Sequence, residues 1–242
     1  MTSNSSPHVT RRTSFSAETL ATLERFGFED PYDPRFIWTS VFGTKMLGHR
    51  QVWPSIDFEE LSRINPEVVG WVHMDQTPVN YPIVAGRLDR GYYLTHNFSG
   101  EESCHGQVQL GFGCSRTMED RNTVLVAHTM NDWSMFRAVR NLCDQSYLDE
   151  HPTIWIMTPT ARYRGRWFAA AQFADSDPWP QQVRFADDAE FSGWLERIER
   201  GNWLVTPTAS SHEQGRILTC VTCAKSPSPF NMRALFAVLE EA

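Results

Sequence analysis

The 242-residue chain lacks any apolar run long enough to cross a bilayer as a helix, which takes about 20 residues. The nearest candidate, Phe36 to Leu47, is short and carries Lys45. No leader for secretion is visible, because Met1 is followed by a Ser/Thr-rich stretch with His8, Arg11 and Arg12 and no apolar h-region. The sequence as it stands therefore reads as a soluble chain. Positive charge is also in short supply. Lys and Arg total 22 against 29 Asp and Glu, a net charge of −7, so there is no global cationic field to gather phosphates, and nucleic acid is not expected as a partner. Cysteines number only five, at 104, 114, 143, 220 and 223. That is too few for a disulfide scaffold at this length, and the odd number leaves at least one thiol unpaired. No internal repeat or low-complexity block is visible beyond the N-terminal tail. What is present, 41% hydrophobic and 12% aromatic residues, suffices for a packed core, and the length suits one large or two small domains.

Residues 1–54 read as a polar tail, a short amphipathic helix over Ser16–Gly27 and an irregular arm rich in Pro, Gly and aromatics from Asp30 to Pro54. The compact body is expected over 55–242. Eight short runs, β-branched or aromatic-rich and bounded by turn residues, read as strands: Val68–Val72, Val79–Val84, Gln107–Gly111, Thr123–Ala127, Thr153–Met157, Arg164–Phe173, Arg216–Thr222 and Leu235–Leu239. The last passes equally as a helix end. Helices are expected over Asp57–Arg63, Ser134–Asn141 and Asp187–Arg200. In the third, Phe191, Trp194, Leu195 and Ile198 make one apolar stripe, with acidic residues at its start and arginines at its end. Short strands mostly not separated by helices favour a mainly β fold, an antiparallel barrel or sandwich with inserted helices, one of them between strands six and seven.

Chemistry concentrates at two strand ends. RILTCVTC, residues 216–223, ends in a cysteine, and NTVLVAH, residues 122–128, ends in a histidine. A thiol at a strand's end is well placed to face a cleft. A nucleophilic thiolate needs a neighbouring base or cation and a donor for the oxyanion; His128 and Arg233 are the candidates. Lys225, two residues past Cys223, would favour the thiolate if near enough. Cys220 and Cys223 form a C-x-x-C, but inside a strand the two point to opposite faces and no second such pair exists, so neither a zinc site nor a redox pair is expected and Cys220 reads as core. Cys104 and Cys114 flank a strand, as a disulfide or, the favoured reading, as two thiols. His96 reads as structural. His8, His49, His73, His105, His151 and His212 carry no partner pattern. Trp133, beside the histidine turn, is a candidate groove residue.

Taken in order, these segments resemble the class B sortases. NTVLVAHTMNDWSMF followed by YLDEHPTIWIMT is similar to the stretch around that family's histidine, and LTCVTC with an arginine ten residues on to its Leu-Ser-Thr-Cys strand. NPEVVGWVHMDQTPVNYPIV resembles the opening of the same core, and DRGYYLTHNFSGEESCHGQVQLG its Tyr-Leu-x-His segment and following Gly strand. The resemblance implies an eight-stranded β-barrel with inserted helices and an N-terminal helix. It further implies a cysteine transpeptidase of Gram-positive bacteria that cleaves a C-terminal sorting signal of a surface protein and passes the acyl group to a cell-wall peptide or pilin amine. It assigns Cys223 as nucleophile, His128 as acid and base, and Arg233 as oxyanion donor, with Thr222 on the substrate side and Leu94 either lining the groove or, the favoured reading, packing in the core. Neither a metal nor a cofactor is implied, and the location is the outer face of the cell. Departures from the pattern are Ala127 for glycine before the histidine, Trp133 for a turn glycine, Val221 for serine, and Ala224-Lys225 where an acidic residue is common. A hydrolysis-only or catalytically silent peptide-binding barrel is the competing reading.

Overall fold

The computed structural model describes residues 56–86, 91–206, 215–224 and 230–242. The helix expected over Ser16–Gly27 and the arm to Pro54 lie outside the described residues, as do His8, His49, His212 and Lys225. The elements in chain order are α1 (Phe58–Ile64), β1 (Val68–His73), β2 (Asn80–Val84), α2 (Tyr92–Thr95), β3 (Gln109–Leu110), β4 (Asn122–Val126), α3 (Arg137–Asn141), α4 (Gln145–Glu150), β5 (Thr153–Met157), β6 (Arg162–Phe173), a 3₁₀ turn (Trp179–Gln181), α5 (Asp188–Gly201), β7 (Arg216–Cys223) and β8 (Met232–Glu241). The strands close into a barrel in the order β1-β2-β3-β4-β7-β8-β6-β5.

All eight expected strands form, but the barrel is not wholly antiparallel. β2 pairs with β3, and β4 with β7, in parallel. A parallel pair cannot be joined by a tight turn and needs a long crossover. β4 and β7 are joined by two other strands and most of the helices, so short-range pattern could not reveal the pairing.

Alternation along the strands sends apolar side chains to both sides of the barrel wall. Leu125, Ala127, Leu218, Cys220, Leu235, Ala237 and Leu239 fill the barrel. Their sequence neighbours Val124, Ile217, Val221, Ala234, Phe236 and Val238 pack outward against Phe191, Trp194, Leu195 and Ile198 of α5. β8 is thus covered on both faces. Its unbroken apolar run fits a doubly buried strand as well as a helix end, which is why sequence alone leaves it open. Asp187 caps α5, its carboxylate accepting the Glu190 N–H at 2.8 Å, and Asp57 caps α1 in the same way.

Two short helices, α2 and α4, carry too little periodicity to be expected. The helix expected over Ser134–Asn141 starts only at Arg137. The backbone N–H and hydroxyl of Ser134 are both bonded to Asp132, and Met135 adopts a left-handed backbone with φ 55°, so neither residue joins the helix. Among the described residues, no helix is long and apolar enough to cross a membrane.

Candidate active site

The parallel β4–β7 ladder assembles the site. Pairing runs in register from Asn122↔Ile217 to Val126↔Val221, and the Ala127 N–H continues it to the Val221 carbonyl at 3.2 Å. Beyond the last pair, which lies on neighbouring strands spaced about 4.8 Å apart, one strand leads on to His128 and the other to Cys223. The strand ends are tied by their side chains: the hydroxyls of Thr129 and Thr222 meet at 2.7 Å in a buried position. Thr222 is 1% exposed, so its observed part is to hold the two ends in register. Across β7–β8, Thr222 faces Arg233 and Cys223 faces Met232.

His128 is half-buried, and its Nε2 lies 2.7 Å from the Leu94 carbonyl oxygen. A carbonyl only accepts, so Nε2 carries the hydrogen, and in the neutral ring Nδ1 is left as the base. The expectation for Leu94 concerned its side chain; its observed contact with the site is through the main chain. Backbone acceptors leave no mark in a sequence, so no residue pattern signals this contact. The loop that supplies it is fixed by its own residues. The Tyr93 hydroxyl accepts from Asn65 and donates to Glu67, both at 2.7 Å. The Gln107 N–H binds the Tyr93 carbonyl at 2.7 Å. His96 stacks on Tyr92 with centroids 3.9 Å apart, the structural role expected of it.

Gly106 lets this loop close. Its φ is +60°, and a Cβ there would sit 2.5 Å from the Tyr93 carbonyl oxygen and 2.9 Å from that of Leu94. Gly106→Ala is expected to cost about 1–3 kcal/mol in stability through backbone strain and to push the Leu94 carbonyl away from His128. Thermal unfolding and turnover, both measured on the variant, check this: a variant with wild-type melting temperature and activity would show that the loop tolerates the change.

The turn after His128 is closed by the Phe136 N–H on the His128 carbonyl at 2.8 Å and by the Met135 N–H on the Tyr81 hydroxyl at 2.9 Å. Burial pushes the Tyr81 phenol up to about 12, so it stays protonated. Contrary to the sequence reading, two histidines have carboxylate partners. His73 Nε2 lies 3.1 Å from Asp75, and His105 Nε2 lies 2.7 Å from Asp132, across 27 residues. Burial alone would raise the Asp132 carboxyl, but hydrogen bonds from Ser134 and His105 outweigh it and bring the value down to about 2. The turn contains Trp133 with φ 72° and 55% exposure, its ring beneath the Arg137 guanidinium.

All five cysteines are free thiols. Cys220 is fully buried in the barrel, which pushes its thiol pKa up. Burial likewise raises Cys114 and Cys143 to about 11. Cys223 is partly exposed at the end of β7. The Arg233 guanidinium lies on the α3 side of the strand end, 5.6 Å from the Trp203 ring centroid and close enough to Cys143 to act on its charge.

A closed eight-stranded barrel with a helix between its sixth and seventh strands, and with histidine and cysteine at the ends of a parallel strand pair, is the sortase-type architecture of cysteine transpeptidases. No family model matches the chain. The chain is 27% identical to Sortase B of Listeria monocytogenes over 167 residues, which are 69% of this chain and 67% of that protein. It is 26% identical to Sortase B of Staphylococcus aureus over 176 residues, or 73% and 71% of the two chains. The crystal structure of a Bacillus anthracis protein described as similar to sortase B superposes with a TM-score of 0.72 at 27% identity, covering 89% of this chain and 99% of that one. These likenesses in sequence and in fold support a class B sortase and indicate a cysteine transpeptidase.

Proposed function

We propose that the barrel, from residue 55 onward, cleaves a sorting signal near the C-terminus of a surface protein and transfers the upstream part to an amine of a cell-wall peptide or a pilin subunit. The observation that supports this reading is the parallel β4–β7 pairing, whose two strands lead on to His128 and to Cys223.

In the first half-reaction, the Cys223 thiolate attacks the scissile carbonyl. Arg233 donates to the developing oxyanion, and protonated His128 gives its proton to the departing amine as the C–N bond breaks, leaving a thioester. In the second, the acceptor amine attacks the thioester, His128 takes its proton, and the Cys223 thiolate leaves. Side chains account for every proton, and the scheme calls on no cofactor or metal. The Leu94 carbonyl orients the imidazole while its side chain lines the groove, and Thr222 holds the strand end beneath the substrate. A solved Staphylococcus aureus sortase B is described as a substrate complex, which supports binding of a sorting signal here too. The corresponding location is the outer face of the cell envelope.

The test is the product's mass after incubation with a library of sorting-signal peptides, with and without an added amine such as triglycine. An amide to the added amine is the expected result. A carboxylic acid product alone would make the protein a thiol hydrolase. Peptide binding with neither cleavage nor acyl-enzyme would make it a silent binding barrel.

A further inference from the structure

Beside the strand ends a cavity of about 530 Å³ opens among Arg137, Arg140, Cys143, Asp144, Tyr147 and Arg233. Three guanidiniums share it in a chain whose net charge is −7. Elsewhere, Arg63, Arg121, Arg164, Arg166 and Arg197 each sit against a carboxylate. Among the described residues, none of the three cavity arginines does. Asp144, the carboxylate on the wall, is engaged in capping α4, accepting both the Ser146 N–H and the Ser146 hydroxyl.

Two of the guanidiniums instead lie over aromatic rings, Arg137 above Trp133 at 4.8 Å and Arg233 above Trp203 at 5.6 Å. The Nε of Arg137 is buried with no hydrogen-bond partner. Burial, and then the charges of Arg137 and Arg233, make it harder for Arg140 to hold its proton. Gathering like charges in a partly desolvated cavity is unfavourable, and an oxyanion between them removes the penalty. The planar fork of arginine matches carboxylate and phosphate in geometry as well as charge.

We infer that this cavity binds a carboxylate or phosphate group carried by one of the two substrates of the transpeptidation. The inference rests on the transpeptidase reading and deepens it. Arg233 faces Thr222 across the β7–β8 ladder, so an anion held here anchors its substrate at the strand end that carries Cys223. With five N–H donors, Arg233 can serve the anion from one edge and the reacting carbonyl from another.

The test begins without turnover. Inorganic phosphate titrated into the full chain is expected to change tryptophan fluorescence saturably, through Trp133 and Trp203. The apparent affinity should fall at least about tenfold in Arg137→Gln/Arg140→Gln, and also in Arg140→Lys, which keeps the charge and the fold but loses the fork. Phosphate affinity unchanged in both variants, or no saturable change in the wild type, overturns the inference. Capture of a peptide-mimetic electrophile by Cys223, followed in parallel, reports on the transpeptidase reading alone and is expected to survive both substitutions. With turnover, a several-fold rise in KM for the cleaved peptide when no amine is added assigns the anion to the sorting signal. A rise confined to the amine's KM assigns it to the acceptor. Phosphate binding lost with neither KM moved would overturn the link to substrate.

Discussion

Replacing Cys223 with alanine is expected to abolish covalent capture of a peptide acyl group and to lower turnover on the order of 10⁶-fold, the scale on which enzymes lose rate with their nucleophile. The other thiols are poor substitutes for physical reasons. Cys220 is sealed in the barrel. Cys114 and Cys143 are held protonated by burial at neutral pH, and the Cys114 sulfur accepts the Val124 N–H at 3.3 Å. Cys104 is exposed and will take up a small methanethiosulfonate reagent as background, so a peptide-mimetic electrophile is the sharper probe. Mass spectrometry of the labelled, digested protein checks the assignment. Label found mainly on Cys220, or cleavage retained by Cys223→Ala, would place the nucleophile elsewhere.

Arg233→Lys is expected to lose about 10²–10³ in kcat/KM, the usual cost of removing an oxyanion donor, with little change in melting temperature. Lysine restores the charge but not the fixed pair of donors, and its ammonium has no flat face to lie over Trp203. Steady-state kinetics beside a thermal melt would separate this from a folding defect. Near-wild-type turnover in the lysine variant would reduce Arg233 to a surface charge, and the oxyanion donor would then have to be sought among backbone N–H groups near Cys223.

What the chain disclosed unaided follows the range of each interaction. Strand β5 and helix α5 are written locally, one as a β-branched and aromatic run, the other as an amphipathic stripe behind a capping aspartate, and the structure has them at or within one residue of the expected places. His128 and Cys223 were legible as strand-terminal residues because each closes an apolar run. That their strands run side by side depends on a parallel pairing between distant segments, which no local pattern records. The Leu94 carbonyl was illegible because every residue has one. The His105–Asp132 contact was missed for the related reason that its partners come from two different loops. The arginine cavity was hidden because Arg137 and Arg140 in sequence look like the solvated side of a short helix, and only the barrel brings Arg233 to them.

The parallel contact between β4 and β7 also bears on when the enzyme becomes active as it folds. Pairings between segments far apart in sequence form late, since their loop-closure entropy must be met before the contact returns anything. A refolding chain can build the β5–β6 hairpin early, yet the strands that carry its thiol and imidazole pair only when the barrel closes. Reactivity toward a peptide-mimetic electrophile should therefore rise with the last kinetic phase of refolding rather than with the first gain of secondary structure, so that a half-folded chain carries a cysteine but no working nucleophile.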